Sequence, residues 1–139
     1  MSISALTDAV GFVRSHPEMF FGSKPGPIPC VQHLVAQVLA LGAADVWVER
    51  RQNWWVVTSN FDWFLPDQTA GDQTRKLVPL PEIGANASRV EVVLIAFAEA
   101  VSTRVGAQPW EQLAGCELPD PAGGVTEAGR AVAFCFRAQ

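Results

Sequence analysis

Charge is scarce in this chain: 17% of its 139 residues are charged, against about 25% in an average soluble protein. With 49% of the residues apolar, the composition excludes intrinsic disorder, which needs low hydrophobicity and high net charge. Basic residues are the scarcer sign. Ten Lys+Arg against fourteen Asp+Glu leave a net charge of −4 and a pI near 5.0, and no block of five basic residues occurs. That sets aside a dedicated nucleic-acid binder and a polybasic membrane anchor. Long apolar runs are missing too. Residues 31–44 and 92–98 contain polar residues or fall far short of the ~20 that span a bilayer. Residues 1–13 carry Asp8 and no leading Lys or Arg, so no targeting segment is expected there.

Cysteine is present only as Cys30, Cys116 and Cys135, an odd number at irregular spacing. This is not a disulfide framework, and it implies a reducing cytoplasm with three buried thiols. Paired C-x-x-C or H-x-x-x-H spacings are absent. Cys30-x-x-His33 therefore reads as a packed cysteine near a polar-face histidine rather than half a zinc site, and no metal is expected. No protease signature flanks any cysteine.

What is present fits one domain over residues 1–139, at about 150 residues per domain. Ile3, Leu6, Val10 and Val13 recur at helical intervals over residues 4–15, with Ser4 as cap, and His16-Pro17 ends the run. Residues 24–29, with three prolines, read as a stiff connection. Residues 30–41 are the clearest helix, with Val31, Leu34, Val35, Val38 and Leu39 on one face, His33 and Gln37 on another, and Gly42 to stop it. Residues 45–50 and 54–59 are β-branched and aromatic and read as a hairpin. Residues 60–67 are aromatic and irregular, 68–76 are polar and loop-like, and 77–80 form a short edge strand. Residues 87–103 read as a second helix, apolar nearly all round and so buried on more than one face. The stretch 106–129 is rich in Pro and Gly, with one helical turn at 110–113. Residues 130–137 alternate as a strand with one buried face. The order predicts an α+β fold: a two-layer sandwich with helices on one face of a small mixed, mostly antiparallel sheet.

Val13-Arg14-Ser15-His16-Pro17-Glu18-Met19-Phe20-Phe21-Gly22-Ser23 resembles the V-R-x-R-P-x-M-Y-I-G-S segment of the ATPase domain of DNA gyrase and topoisomerase IV B subunits. That family continues with a helix H-L-V-x-E-V-V-D-N, and this chain has His33-Leu34-Val35-Ala36-Gln37-Val38-Leu39-Ala40-Leu41. A hairpin and the adenine-binding V-T-D-N-G-R-G-I-P follow there. Here the matching run is Val57-Thr58-Ser59-Asn60-Phe61-Asp62-Trp63-Phe64-Leu65. Ile83-Gly84-Ala85-Asn86-Ala87-Ser88 resembles the phosphate-binding G-x-G-A-S before the next helix. The match runs over about residues 10–67 and more weakly to about 102. It implies a shortened GHKL (Bergerat-type) domain.

The resemblance also implies what has been lost. The general base aligns with Gln37, whose amide accepts no proton. The Mg²⁺-holding asparagine aligns with Leu41, which offers no oxygen to a hard cation. The adenine-reading aspartate aligns with Ser59, next to Asn60, and the two glycines align with Phe61 and Trp63. Rings of that size bury about 150–250 Å² each, enough to fill a purine slot. The expectation is therefore a non-catalytic, GHKL-like protein-interaction or scaffold module with no cofactor. The alternatives are a nucleotide-binding domain that takes ATP or ADP with Mg through Ser59, Asn60 and Gly84 without hydrolysis, and a small enzyme using carboxylates such as Asp62 or Glu91. Asp62 and Asp67, five residues apart in a loop, read as a solvated turn. Asn86 or Ser88 reads as an ordinary helix cap rather than part of a phosphate nest. Trp54 and Trp55, adjacent on a strand, must face opposite sides. Trp47, Trp54, Trp55 and Phe64 are accordingly the candidate interface, with self-association as a homodimer the expected partnership.

Overall fold

The computed structural model describes residues 8–21, 26–85, 87–115 and 129–136. Helix α1 spans Ala9–Ser15, and the Asp8 carboxylate caps it by accepting from the Gly11 N–H at 2.9 Å. Ser4, the expected cap, lies outside the described residues. His16 ends α1, and Pro17 opens α2, Pro17–Phe21. Helix α3 runs over Pro27–Ala40, so the connection expected over 24–29 is already helical from Pro27. The first-turn N–H groups of a helix have no intrahelical partner, which makes proline tolerable there. The buried stripe of α3 is Cys30, Leu34, Gln37 and Val38, while Leu39 is 49% exposed. Gln37, expected on a face other than the apolar one, therefore points inward. Gly42, at φ +114°, follows the C-cap residue Leu41.

The expected hairpin is present with its first strand one residue later: β1 is Val46–Arg51 and β2 is Trp54–Ser59, joined by Gln52 and Asn53. Residues 68–76, read as a loop, contain the one-turn helix α4, Ala70–Gln73. The expected edge strand at 77–80 is reduced to an isolated antiparallel bridge, Pro79 to Ser88.

The expected long helix over 87–103 is two elements. Helix α5 is only Glu91–Phe97, and β3 occupies Ala100–Arg104. The N-cap residue of α5 is Val90 rather than Ser88, and Asn86 lies outside the described residues. All-round burial does hold, since Val92, Val93, Leu94, Ile95 and Ala96 are all interior. Residues 110–113 are not a helical turn but lead into β4, Glu111–Gly115. Gly115 ends it at φ +100°, where a Cβ would strike the Glu99 carbonyl.

Strand β5, Arg130–Cys135, completes a five-stranded sheet of order β1-β2-β5-β3-β4, with every pairing antiparallel. The sheet is thus not mixed, and the fold is α+β. β5 sits at its centre and is buried on both faces, not one. Val132 and Phe134 join Val57 and Val101 beneath the helices, where Leu34, Val38, Val93 and Leu94 meet them. Ala131, Ala133 and Cys135 pack on the opposite face with Trp54, Val56, Ala100 and the flank of Trp110. Each large side chain buried this way contributes about 1.5–3 kcal/mol. Among the described residues no helix is long and apolar enough to cross a membrane.

Candidate functional site

Three buried side chains meet where α3, the loop after β2 and the start of α5 converge. Gln37 donates through Nε2 to both carboxylate oxygens of Glu91, at 2.9 and 2.7 Å. Its Oε1 accepts from the Val90 N–H at 2.7 Å. The Trp63 indole N–H donates to the same Glu91 carboxylate at 2.8 Å. Relative exposures of 1% for Gln37, 5% for Glu91 and 3% for Trp63 leave no aqueous edge on this cluster. A carboxylate removed from water needs its hydrogen bonds replaced. Here neutral donors replace them, and the first turn of α5 adds its own partial positive charge.

The loop over 60–67 that carries Trp63 is held at several points. Asp62 receives a two-pronged ion pair from Arg130, Nε to Oδ1 at 2.8 Å and a second N–H to Oδ2 at 2.9 Å. The Arg130 guanidinium also lies 4.0 Å from the Phe64 ring centre and donates to Thr103 Oγ1 at 3.1 Å. Gln73 accepts the Leu65 N–H at 2.7 Å and donates back to the Leu65 carbonyl at 3.0 Å. Arg89 donates to the Trp63 carbonyl at 2.7 Å. Gly129 lies so close to the Phe61 backbone that a Cβ there would collide with it. Asp62 is therefore an ion-pair anchor, while Asp67 is exposed in the turn.

The remaining positions singled out from the sequence are dispersed around this cluster. Leu41 caps α3 and packs partly buried against the core. Ser59 is fully buried at the end of β2, where its hydroxyl accepts from the Phe61 N–H at 3.3 Å and its carbonyl accepts from the Gly129 N–H at 2.9 Å. Asn60 is exposed and uses its side-chain oxygen on the Asp45 N–H. Phe61 is half-buried against the core. Gly84 lies in the turn before α5, without a positive φ and with open space where a Cβ would stand, so no close approach demands glycine there. Of the candidate interface rings, Trp54 and Phe64 are interior, Trp55 is half-buried under Arg50, and Trp47 is 40% exposed. Trp54 and Trp55 do lie on opposite faces of the sheet.

Glu91 and Gln73 are the residues that sequence reasoning placed least well. A polar residue beginning an otherwise apolar helix is the signal that marks Glu91, because such a position is either exposed or partnered. No comparable signal marks Gln73, whose partners are loop backbone groups.

A separate cleft of about 280 Å³ opens between α2, α3 and the turn before α5, lined by Met19, Phe20, His33, Leu80, Ile83 and Ser88 among others. Its walls are mainly apolar and include neither Gln37, Ser59, Phe61 nor Trp63. Burial pushes the Cys30 thiol up to about 12, so it stays protonated and unreactive at neutral pH. Cys135 is likewise buried, and Cys116 lies outside the described residues. Among the described residues no three His, Cys, Asp or Glu side chains gather to hold a metal ion. Compared with known proteins, the chain matches no family model and no curated protein.

Proposed function

We propose that this chain is a non-catalytic, GHKL-like domain that serves as a protein-interaction or scaffold module in the cytoplasm. The order of elements supports the likeness: helices α1 to α3, a hairpin, an aromatic loop, the one-turn helix α4, a turn and the buried helix α5 include the helix, hairpin, loop and buried helix that the family resemblance implies, in that order. Helices packed against one face of an antiparallel sheet suit a Bergerat-like sandwich. The buried, unbridged thiol of Cys30 agrees with a reducing compartment.

One observation carries the loss of ATP chemistry. At the position aligned with the catalytic base, both ends of the Gln37 amide are committed, to Glu91 and to the Val90 N–H, and Trp63 closes the cluster. A general base must reach the proton that it removes, directly or through one water. Gln37 reaches neither, and an amide would not accept that proton. Leu41 supplies no oxygen ligand for Mg²⁺.

Calorimetric titration of the protein with ATP, with and without Mg²⁺, tests this reading, together with a phosphate-release assay. No saturable heat and no turnover are expected. Saturable binding without turnover would replace this reading with a nucleotide-binding domain, and turnover would restore an enzyme.

A further inference from the structure

Strand β1 is the outermost strand at its end of the sheet. Among the described residues, its outer edge pairs with no other strand. In an antiparallel ladder alternate residues turn their N–H and C=O groups away from the partner strand, so this edge is a template for another strand. Two large apolar residues stand exposed on it, Trp47 at 40% and Val48 at 43%. Charged neighbours flank them: Asp45 before, and Glu49, Arg50 and Arg51 after.

We propose that β1 is a self-association edge, on which a second copy of this chain pairs antiparallel about a twofold axis at Val48. Charge complementarity selects the register of that pairing. Around a perpendicular twofold, residues whose numbers sum to a constant stand opposite one another, and that constant must be even for both copies to keep their helices on the same side. An axis at Trp47 sets Asp45 against Glu49 of the second copy. An axis at Glu49 sets two glutamates face to face, and one at Arg50 or Arg51 sets two arginines face to face. Directly opposed like charges destabilise a strand pair. An axis at Val46 leaves most of the strand beyond the overlap. Only the axis at Val48 pairs the strand along its length without such a clash. It brings Val48 against Val48, Trp47 against Glu49, and Asp45 against Arg51, each of the last two twice by symmetry. Arg51 already bonds Glu49 at 3.1 Å through Nε, and its terminal N–H groups can take the incoming Asp45 carboxylate. The product is a continuous ten-stranded sheet, five strands from each copy. An isologous contact of this kind closes on itself, so association stops at the dimer.

This inference rests on the interaction-module reading and names the partner for it. Sedimentation velocity and light scattering across a concentration series should show a reversible monomer–dimer equilibrium. Asp45→Arg alone and Arg51→Asp alone each oppose like charges across the axis. Each should weaken the dimer about tenfold or more, and the double exchange should restore it. Thermal melts of all three variants, at exposed positions, verify that they fold. A monomer at every concentration would overturn the proposal, and so would a dimer indifferent to the single exchanges. ATP turnover in the same samples would instead overturn the functional reading, whatever mass is measured.

Discussion

The carboxamide of Gln37 accepts from the Val90 N–H with one end and donates to the Glu91 carboxylate with the other, which neither a carboxylate nor an ammonium can do. Glutamine at position 37 therefore suits its neighbours, whatever residue the resemblance would set there. Replacing it by glutamate keeps size and shape and changes only the bonding. In Gln37→Glu two carboxylates face each other at about the 2.7–2.9 Å of the present bonds, and they must share a proton. Like charge raises the pKa of such a pair in the folded state. A raised folded-state pKa contributes stability that is present below the ordinary carboxylate range and is lost as pH rises through the raised value. The variant should thus approach wild-type stability near pH 4–5 and fall about 2–4 kcal/mol short at pH 8. Urea unfolding at both pH values measures this, and an equal deficit at the two would show that the carboxylates do not meet.

At the scale of elements, the sequence was legible where one period dominated. Helix α3 and the β1–β2 hairpin were read within a few residues, because helical and two-residue spacings there are long and unbroken. The α5–β3 boundary is hidden because the apolar residues from Val92 to Val101 fit both periods, and periodicity alone does not separate a buried helix from a buried strand. The break comes from tertiary structure: Ala98 turns extended, and the Glu99 N–H donates to the Cys135 carbonyl at 2.7 Å. β4 was obscured by the Gly- and Pro-rich sequence around it. The site was half legible. The sequence marks Gln37 and Trp63, but nothing in it joins them to Glu91, whose partners lie 54 and 28 residues away. Helix α4 escaped because a one-turn helix carries too few residues for a pattern, and what holds it is Gln73. That side chain bonds the Leu65, Gln68 and Thr69 backbones from a buried position. Gln73→Ala leaves the Leu65 N–H without its acceptor and should cost about 1–3 kcal/mol. Hydrogen exchange should show faster exchange at the Leu65 amide with β2 still protected. An unchanged Leu65 amide would mean that the Asp62–Arg130 pair and the Arg89 bond to the Trp63 carbonyl hold the loop without Gln73.

For the molecule as a whole, the decisive feature is that β5, the last of the described strands, lies in the middle of the sheet. β5 bonds β2 on one side and β3 on the other, so it links the β1–β2 hairpin to the β3–β4 pair. Both of its faces are interior, with exposures of 2% or less from Ala131 to Cys135. Two-stranded hairpins are marginal in water, and three or more strands with a packed face are needed for independent stability. A chain ending at Gly129 would therefore retain two hairpins, each lacking a neighbour, and would lose Val132 and Phe134 from beneath α3 and α5. Arg130 would go as well, releasing Asp62 and the loop that carries Trp63. Each large core side chain lost costs about 2–5 kcal/mol, against a total stability of about 5–15 kcal/mol for a domain. The truncated chain should accordingly show no cooperative thermal transition and no fixed aromatic signal in near-ultraviolet circular dichroism. A cooperative melt of that fragment would mean that the helices and one hairpin form a self-sufficient core, and that β5 joins a structure already complete.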